Sequence, residues 1–159
     1  MTKGAAVTVR DARPDDGAVL ARIWNSWYSR TALVRATTGT GLIYLVAEVD
    51  GEPVGQACVD TLAIPDTGYI YAVAVLESWR SRGIGGTLLE AAHARARDHG
   101  FASVTLKVEH SNPRARALYE RSGYAVIGDG FDEWDERSEG GEILRHIRVA
   151  TWLMRKQLV

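Results

Sequence analysis

The segment "WRSRGIGGTLLEAA", Trp79 to Ala92, constrains this chain more than any other. It follows "GYIYAVAVL", the most continuous β-like run in the sequence, and it opens a pattern in which Ile84, Leu88 and Ala92 recur four apart, as on one face of a helix. A strand therefore passes into a helix through Gly83, Gly85 and Gly86. Glycines at such a turn let the backbone come close to a ligand, and the first turn of a helix presents unpaired N–H groups at the positive end of its dipole. Arg80 and Arg82 add guanidinium forks suited to phosphate oxygens, and Thr87 adds a hydroxyl. A diphosphate is the most economical ligand for this arrangement.

Several known loops compete for that ligand. A phosphate-gripping NTPase loop requires a lysine after the glycines, and none follows here. The dinucleotide fingerprint G-x-G-x-x-G fails at its third glycine, where "GIGGTL" has Leu88. Glu109, beyond the next strand at roughly the spacing of a ribose-binding acid, keeps the dinucleotide reading in play as a weaker alternative. A turn without any ligand would leave three destabilising glycines unexplained.

The remainder of the chain supplies the frame. "AAVTVRDA" reads as a strand, and "RPDDGAVLARIWNSWYS" as one helix with Val19, Ile23 and Trp27 on its apolar face. "LIYLVAEVDGEPVGQACVDTL" reads as two strands joined at Asp50-Gly51, a strong hairpin signal. After the glycine turn and its helix, which stops near Gly100, "FASVTLKV" is a strand. "SNPRARALYERSGY" is a helix opened by Asn112 and Pro113, a side-chain cap followed by proline at the first helical position. "YAVIG" is a short strand, "DGFDEWDERSEGGE" a solvent-facing loop, and "EILRHIRVATWLMRKQ" a last strand. The order β-α-β-β-β-α-β-α-β-β describes a mixed α/β sheet in one domain spanning residues 1–159.

Composition narrows the function classes. A formal charge of -1, with 19 Lys and Arg against 20 Asp and Glu, argues against a nucleic-acid partner, which would need a basic face. No apolar run is long enough for a membrane span, and the N-terminal stretch lacks the apolar core of a signal peptide, so a cytoplasmic protein with no membrane partner is expected. The one cysteine, Cys58, lies in a strand and reads as a buried small hydrophobe, and four scattered histidines form no ligand set, so no metal is expected.

Two stretches resemble a known family. "RSRGIG", Arg80 to Gly85, resembles the (Q/R)-x-x-G-x-(G/A) signature of the GNAT superfamily of acetyl-CoA-dependent N-acetyltransferases, and Val75 ends the preceding strand as in that family. "NPRARALYERSGY", Asn112 to Tyr124, resembles its second signature, N-x-x-A-x-x-L-Y-x-x-x-G-(F/Y), and the order of elements matches over nearly the whole chain. The resemblance implies a mostly antiparallel central sheet split by a V-shaped acyl-CoA cleft and flanked by helices. It also implies acetyl-CoA as cosubstrate, its pyrophosphate against the N–H groups of Arg82, Gly83, Ile84, Gly85, Gly86 and Thr87. The backbone of Val73 and Val75 would hold the pantetheine arm, with an amide N–H there polarising the thioester carbonyl. Asn112 would lie near the same arm, or serve only as a helix cap. Tyr119 falls on the family's tyrosine, a hydrogen-bond donor to the leaving sulfur, and a free amine would attack directly with no covalent enzyme intermediate.

The general base is the open position. The central strand has no carboxylate, and Lys107 stands where a subgroup acetylating protein N-termini has a glutamate. Glu109, His110, Asp60 and Tyr71 are the candidates, with Glu109 retained as catalytic. Weak base catalysis favours amines of low pKa: an α-amine near pKa 8 is roughly a fifth neutral at pH 7.4, a lysine-like amine near 10.4 only about a thousandth. The seven carboxylates between Asp129 and Glu142, together with Trp24, Trp27, Tyr28 and Trp134, would attract and hold a cationic acceptor if they border its site. Aminoglycoside-like antibiotics or polyamines are the first expectation, with an antibiotic-resistance role for the former. Peptide or protein N-termini or lysines come second, and a non-catalytic acyl-CoA-binding module third. A homodimer through the alternating strand "HIRVATWLM" is also compatible with the pattern.

Overall fold

A computed structural model describes residues 6–158; Ala5, with which the first predicted strand begins, lies outside them. The elements are β1 (Val7–Asp11), α1 (Gly17–Ile23), α2 (Ser26–Thr37), β2 (Leu42–Val49), β3 (Glu52–Asp60) and β4 (Gly68–Val75). They continue with α3 (Ile84–His99), β5 (Ser103–Glu109), α4 (Pro113–Arg121), β6 (Ala125–Arg137) and β7 (Ile143–Gln157). One seven-stranded sheet runs in the order β1-β2-β3-β4-β5-β7-β6, antiparallel at every junction except β4–β5. This is the expected mixed, mostly antiparallel α/β sheet flanked by helices.

Alternation along β2 and β3 divides the core between the two faces of the sheet. Leu45, Ala47, Ala57 and Val59 pack with Ile84, Leu88 and Ala92 of α3, while Tyr44, Val46 and Cys58 pack with Leu20, Ala32 and Leu33 of α1 and α2. Burial on both faces explains why these strands read as nearly continuous apolar runs. The β2–β3 turn places Asp50 and Gly51 at φ 51° and 80°, the left-handed pair that a two-residue hairpin requires. Asn112 accepts from the Ala115 N–H at 3.1 Å, capping α4 ahead of Pro113 as its sequence suggests.

Two readings are corrected. The single helix expected over "RPDDGAVLARIWNSWYS" is two: Trp24 is extended at φ -138° and ψ 177°, and Asn25 opens α2 by accepting from the Tyr28 N–H at 3.1 Å. The break redirects α2 so that Trp24 and Tyr28 stack with centroids 6.0 Å apart. The second correction concerns "DGFDEWDERSEGGE", which is not a loop. β6 runs on through Arg137, paired to β7 from Ala125↔Arg155 to Arg137↔Ile143, and only residues 138–142 form the turn. β6 is an edge strand exposed along much of its length, so its pattern is not written by burial. Cross-strand charge pairs support it instead: Glu136 with Arg145, Asp135 with His146 at 2.9 Å, and Glu133 with Arg148 at 3.5 Å.

The first half of β7 pairs only with β6, so the two strands project past β5 as a ribbon. Its tip docks on α2: the Tyr28 hydroxyl donates to the Asp135 carbonyl at 2.6 Å, and Asn25 Nδ2 to that of Arg137 at 3.2 Å. Gly141, at φ 89°, presses so closely on the Trp27 ring that a side chain there would collide with it. Among the described residues β7 is paired on both sides only from Thr151 to Arg155; before Thr151 its side away from β6 has no strand partner, and β6 has none along its outer side.

Candidate active site

The sheet opens at β4. This strand pairs with β5 only from Gly68↔Val104 to Ile70↔Leu106, and beyond Ile70 the two part. On the β3 side the register shifts between Gln56↔Ala74 and Cys58↔Tyr71, so that Ala72 and Val73 together face Ala57. Ala72 takes φ 53°, a left-handed conformation that marks a bulge and that a residue with a Cβ adopts only when held there. The Gln56 side chain holds it, donating from Nε2 to the Ala72 carbonyl at 3.0 Å while its Oε1 accepts from the Tyr44 hydroxyl at 2.5 Å. Sequence reading missed both residues, because a glutamine and a tyrosine inside β-like runs carry no signal of a shared partner.

Two cavities meet at this bulge, with Val73 lining one and Ala72 the other. The first, about 660 Å³, gathers Val73, Val75, Arg80, Gly83, Ile84, Gly85 and Gly86 from the strand and the glycine turn. Asn112 and Tyr119 of the α4 segment face them across the same space. The helix opens at Gly83, whose φ of 81° reserves the position for glycine, and its first internal bond is from the Thr87 N–H to the Gly83 carbonyl at 3.1 Å. The N–H groups of Ile84, Gly85 and Gly86 therefore have no helical partner. A Cβ added at Gly83 or Gly86 would meet nothing within 4 Å, and at Gly85 only Leu118 at 3.7 Å. Packing does not demand a bare backbone at Gly85 or Gly86, and the surface there is open to close approach.

Two predicted residues stand apart from that space. Thr87 donates its hydroxyl to the Gly83 carbonyl at 3.1 Å, and Arg82 lies over the Trp79 ring with its guanidinium carbon 4.8 Å from the centroid. Neither lines the cavity, whereas Arg114, which no motif reading singled out, does and also donates to the Ser81 hydroxyl. Arg80 donates to the Val75 carbonyl at 3.0 Å.

Tyr119 is half-buried and stands edge-on to the Tyr124 ring, centroids 5.8 Å apart. Burial raises its pKa above that of an ordinary phenol, so it is a donor throughout the neutral range. Behind it Tyr124 is bound to the buried His93, hydroxyl to Nε2 at 2.7 Å. Burial, with Lys156 and Arg97 nearby, lowers His93 to about 4 despite the opposing Glu90, so this imidazole is neutral at physiological pH.

The second cavity, about 650 Å³, lies between α2, β4, β5 and the ribbon. Trp24, Tyr28, Tyr69, Tyr71 and Trp134 supply aromatic walls, and Glu109, Asp132 and Glu136 supply carboxylates. Trp27 serves the ribbon's docking instead. Asp132 has Lys107 at 3.8 Å and Glu136 has Arg145, while the Glu109 carboxylate has no cationic partner among the described residues and accepts only from the Ser111 hydroxyl at 3.3 Å. Arg35 also lines the space, but its guanidinium is spent on Asp60, Thr40 and Gly41.

The other base candidates are worse placed. Asp60 lies outside both cavities; burial raises its pKa, but Arg35 and the N–H groups of Leu62 and Ala63 overcome this and hold it below the usual carboxylate range. Burial pushes Tyr71 well above an ordinary phenol, so its phenolate is out of reach. His110 lies tilted against Trp152 with centroids 3.9 Å apart and lines neither cavity.

Comparison with known proteins agrees with this architecture. A sequence model of the acetyltransferase (GNAT) family matches residues 11–124. The chain is 31% identical over 133 residues to the N-acetyltransferase YhfO of Bacillus subtilis, covering 74% of this chain and 89% of that protein. It is likewise 31% identical over 140 residues to an N-alpha-acetyltransferase of Saccharolobus solfataricus, covering 79% and 84%. In fold it is similar to the PaiA N-acetyltransferase of Thermoplasma acidophilum solved with coenzyme A, with a TM-score of 0.71 at 16% identity over 96% of this chain and 99% of that one.

Proposed function

This chain belongs to the acetyltransferase (GNAT) family, and we propose that it moves an acetyl group from acetyl-CoA directly to a primary amine of a small cationic molecule. The bare glycine turn carries the reading of the first cavity: free N–H groups of Ile84, Gly85 and Gly86 beside open space fit a pyrophosphate, with Arg80 and Arg114 at its border. When bound, acetyl-CoA supplies an acetyl group activated as a thioester. The Val73 N–H donates to the acetyl carbonyl oxygen as negative charge develops there. The Tyr119 hydroxyl donates to the sulfur as the C–S bond breaks and the C–N bond forms. Because a phenolate is more basic than a thiolate by at least about 1.5 pK units, this donation is a stabilising hydrogen bond rather than a completed proton transfer.

The amine arrives from the other side of the bulge. Glu109, the carboxylate there without a cation, takes the proton that the amine releases. Trp24, Tyr28 and Trp134 with Asp132 and Glu136 favour an acceptor that carries further positive charge, such as a polyamine or an aminoglycoside-like antibiotic. The second reading is a peptide N-terminus, favoured by the likeness to the N-alpha-acetyltransferase. Acetyl-CoA-dependent thiol release across aminoglycosides, polyamines, amino acids and short peptides, with mass spectrometry of each product, separates them. Polycation products support the cationic acceptor, and products from peptides alone replace it with the second reading.

A further inference from the structure

The direction of one peptide bond links the core of the sheet to the proposed reaction. Gln56 has no exposed surface, and its amide is fixed at both ends, at Oε1 by the Tyr44 hydroxyl and at Nε2 by the Ala72 carbonyl. The Gln56 side chain projects with Tyr44 from the face of the sheet that α1 and α2 cover, so the Ala72 oxygen is drawn to that face. A trans peptide holds its C=O and the following N–H on opposite sides, and no cis peptide occurs among the described residues. The N–H of Val73 is therefore turned to the opposite face, on which α3 and α4 pack and where β5 has already left β4. Val73 lines the first cavity at that point.

We propose that Gln56, itself oriented by Tyr44, is the positioning residue that aims the Val73 N–H at the acetyl carbonyl oxygen. The inference rests on the reading that acetyl-CoA occupies the first cavity. Without the Gln56 donor, nothing offsets the left-handed backbone of Ala72, and the bulge relaxes toward a regular register against Ala57. The donor then leaves its direction, and loss of one such donor slows an acyl transfer by about 10²- to 10³-fold.

The test compares Gln56→Met, Tyr44→Phe and the double variant by turnover, acetyl-CoA dissociation constant and urea midpoint, with the Val73 amide resonance read in the free protein. Gln56→Met is expected to lower kcat about 10²-fold, leave acetyl-CoA affinity within about threefold and move the Val73 resonance. It also strands the Tyr44 hydroxyl and lowers the midpoint. The double variant removes both polar partners, so its midpoint returns toward wild type while kcat stays low. Should Gln56→Met fail to fold, Tyr44→Phe, which frees one end of the amide, is expected to lower kcat about tenfold with affinity unchanged. Recovery of kcat in step with stability in the double variant makes the pair merely structural and overturns the proposal. An active wild type whose Val73 resonance and turnover ignore Gln56→Met overturns the positioning role alone. A wild type that binds no acetyl-CoA overturns the reading of the cavity, and this role with it.

Discussion

The two cavities that meet at Ala72 and Val73 are built in opposite ways. The first cavity, the cofactor side of the proposed reaction, is bordered by one continuous stretch from β4 through the glycine turn, faced by α4, and includes the N–H groups of a helix start. The second cavity, the acceptor side of that proposal, is walled by side chains from α2, β4, β5 and a ribbon held to α2 by the bond of Tyr28 to Asp135, 107 residues apart in sequence. Backbone donors are the same whatever the neighbouring residue, so the first surface suits a ligand common to a family. Aromatic and carboxylate side chains change with one substitution each, so the second suits a ligand particular to this chain.

Breaking the cofactor side from behind has the largest expected effect. His93 takes a proton near pH 4 in the folded state and near 6.5 when unfolded. The unfolded chain binds the proton first, so the group contributes nothing above pH 6.5. Stability falls as pH drops from 6.5 to 4, by about 3 kcal/mol once below both values. Urea unfolding of wild type and His93→Phe at pH 7 and pH 4 reads the difference: the variant should lose less on acidification, and an equal loss would remove His93 from the account.

In the first cavity, Tyr119→Phe should lower kcat about 10²-fold with acetyl-CoA affinity nearly unchanged, by initial rates and calorimetry. A matching fall in affinity would make Tyr119 a packing residue. On the acceptor side, Trp134→Ala should raise KM for a cationic amine about tenfold, through loss of cation–π attraction, and leave acetyl-CoA binding alone. A variant that binds both substrates as wild type does would turn Trp134 into ribbon packing.

The smallest effect sharpens the contrast most. Gly86→Ala meets open space and a helical backbone, so it should stabilise the free protein by about 0.5–1 kcal/mol. It should weaken acetyl-CoA binding at the same time, since the added methyl stands where the ligand comes close. Thermal melts with and without acetyl-CoA show both signs in one experiment; stabilisation with full affinity would move the pyrophosphate elsewhere.

The glycine turn, the Asn112 cap, the Asp50-Gly51 hairpin and the α3 face were legible because each is written within a few consecutive residues whose backbone demands are local. The ribbon was not. "DGFDEWDER" carries the carboxylates and glycines of a loop, and its strand exists because Arg145, His146 and Arg148 lie opposite it. Trp24 likewise sits in a helical pattern, and its break depends on a cap by Asn25 that competes with continuing the helix.

By itself, then, the sequence determined the order of elements apart from the split first helix, the helix start with its free N–H groups and the tyrosine at position 119, since short-range spacing and backbone conformation specify all of these. Only the tertiary structure decided that Glu109 shares a cavity with Trp24 and Trp134, and that Gln56 and Tyr44 turn the peptide after Ala72. Both depend on strand register and sheet order, which bring together residues that no local pattern relates.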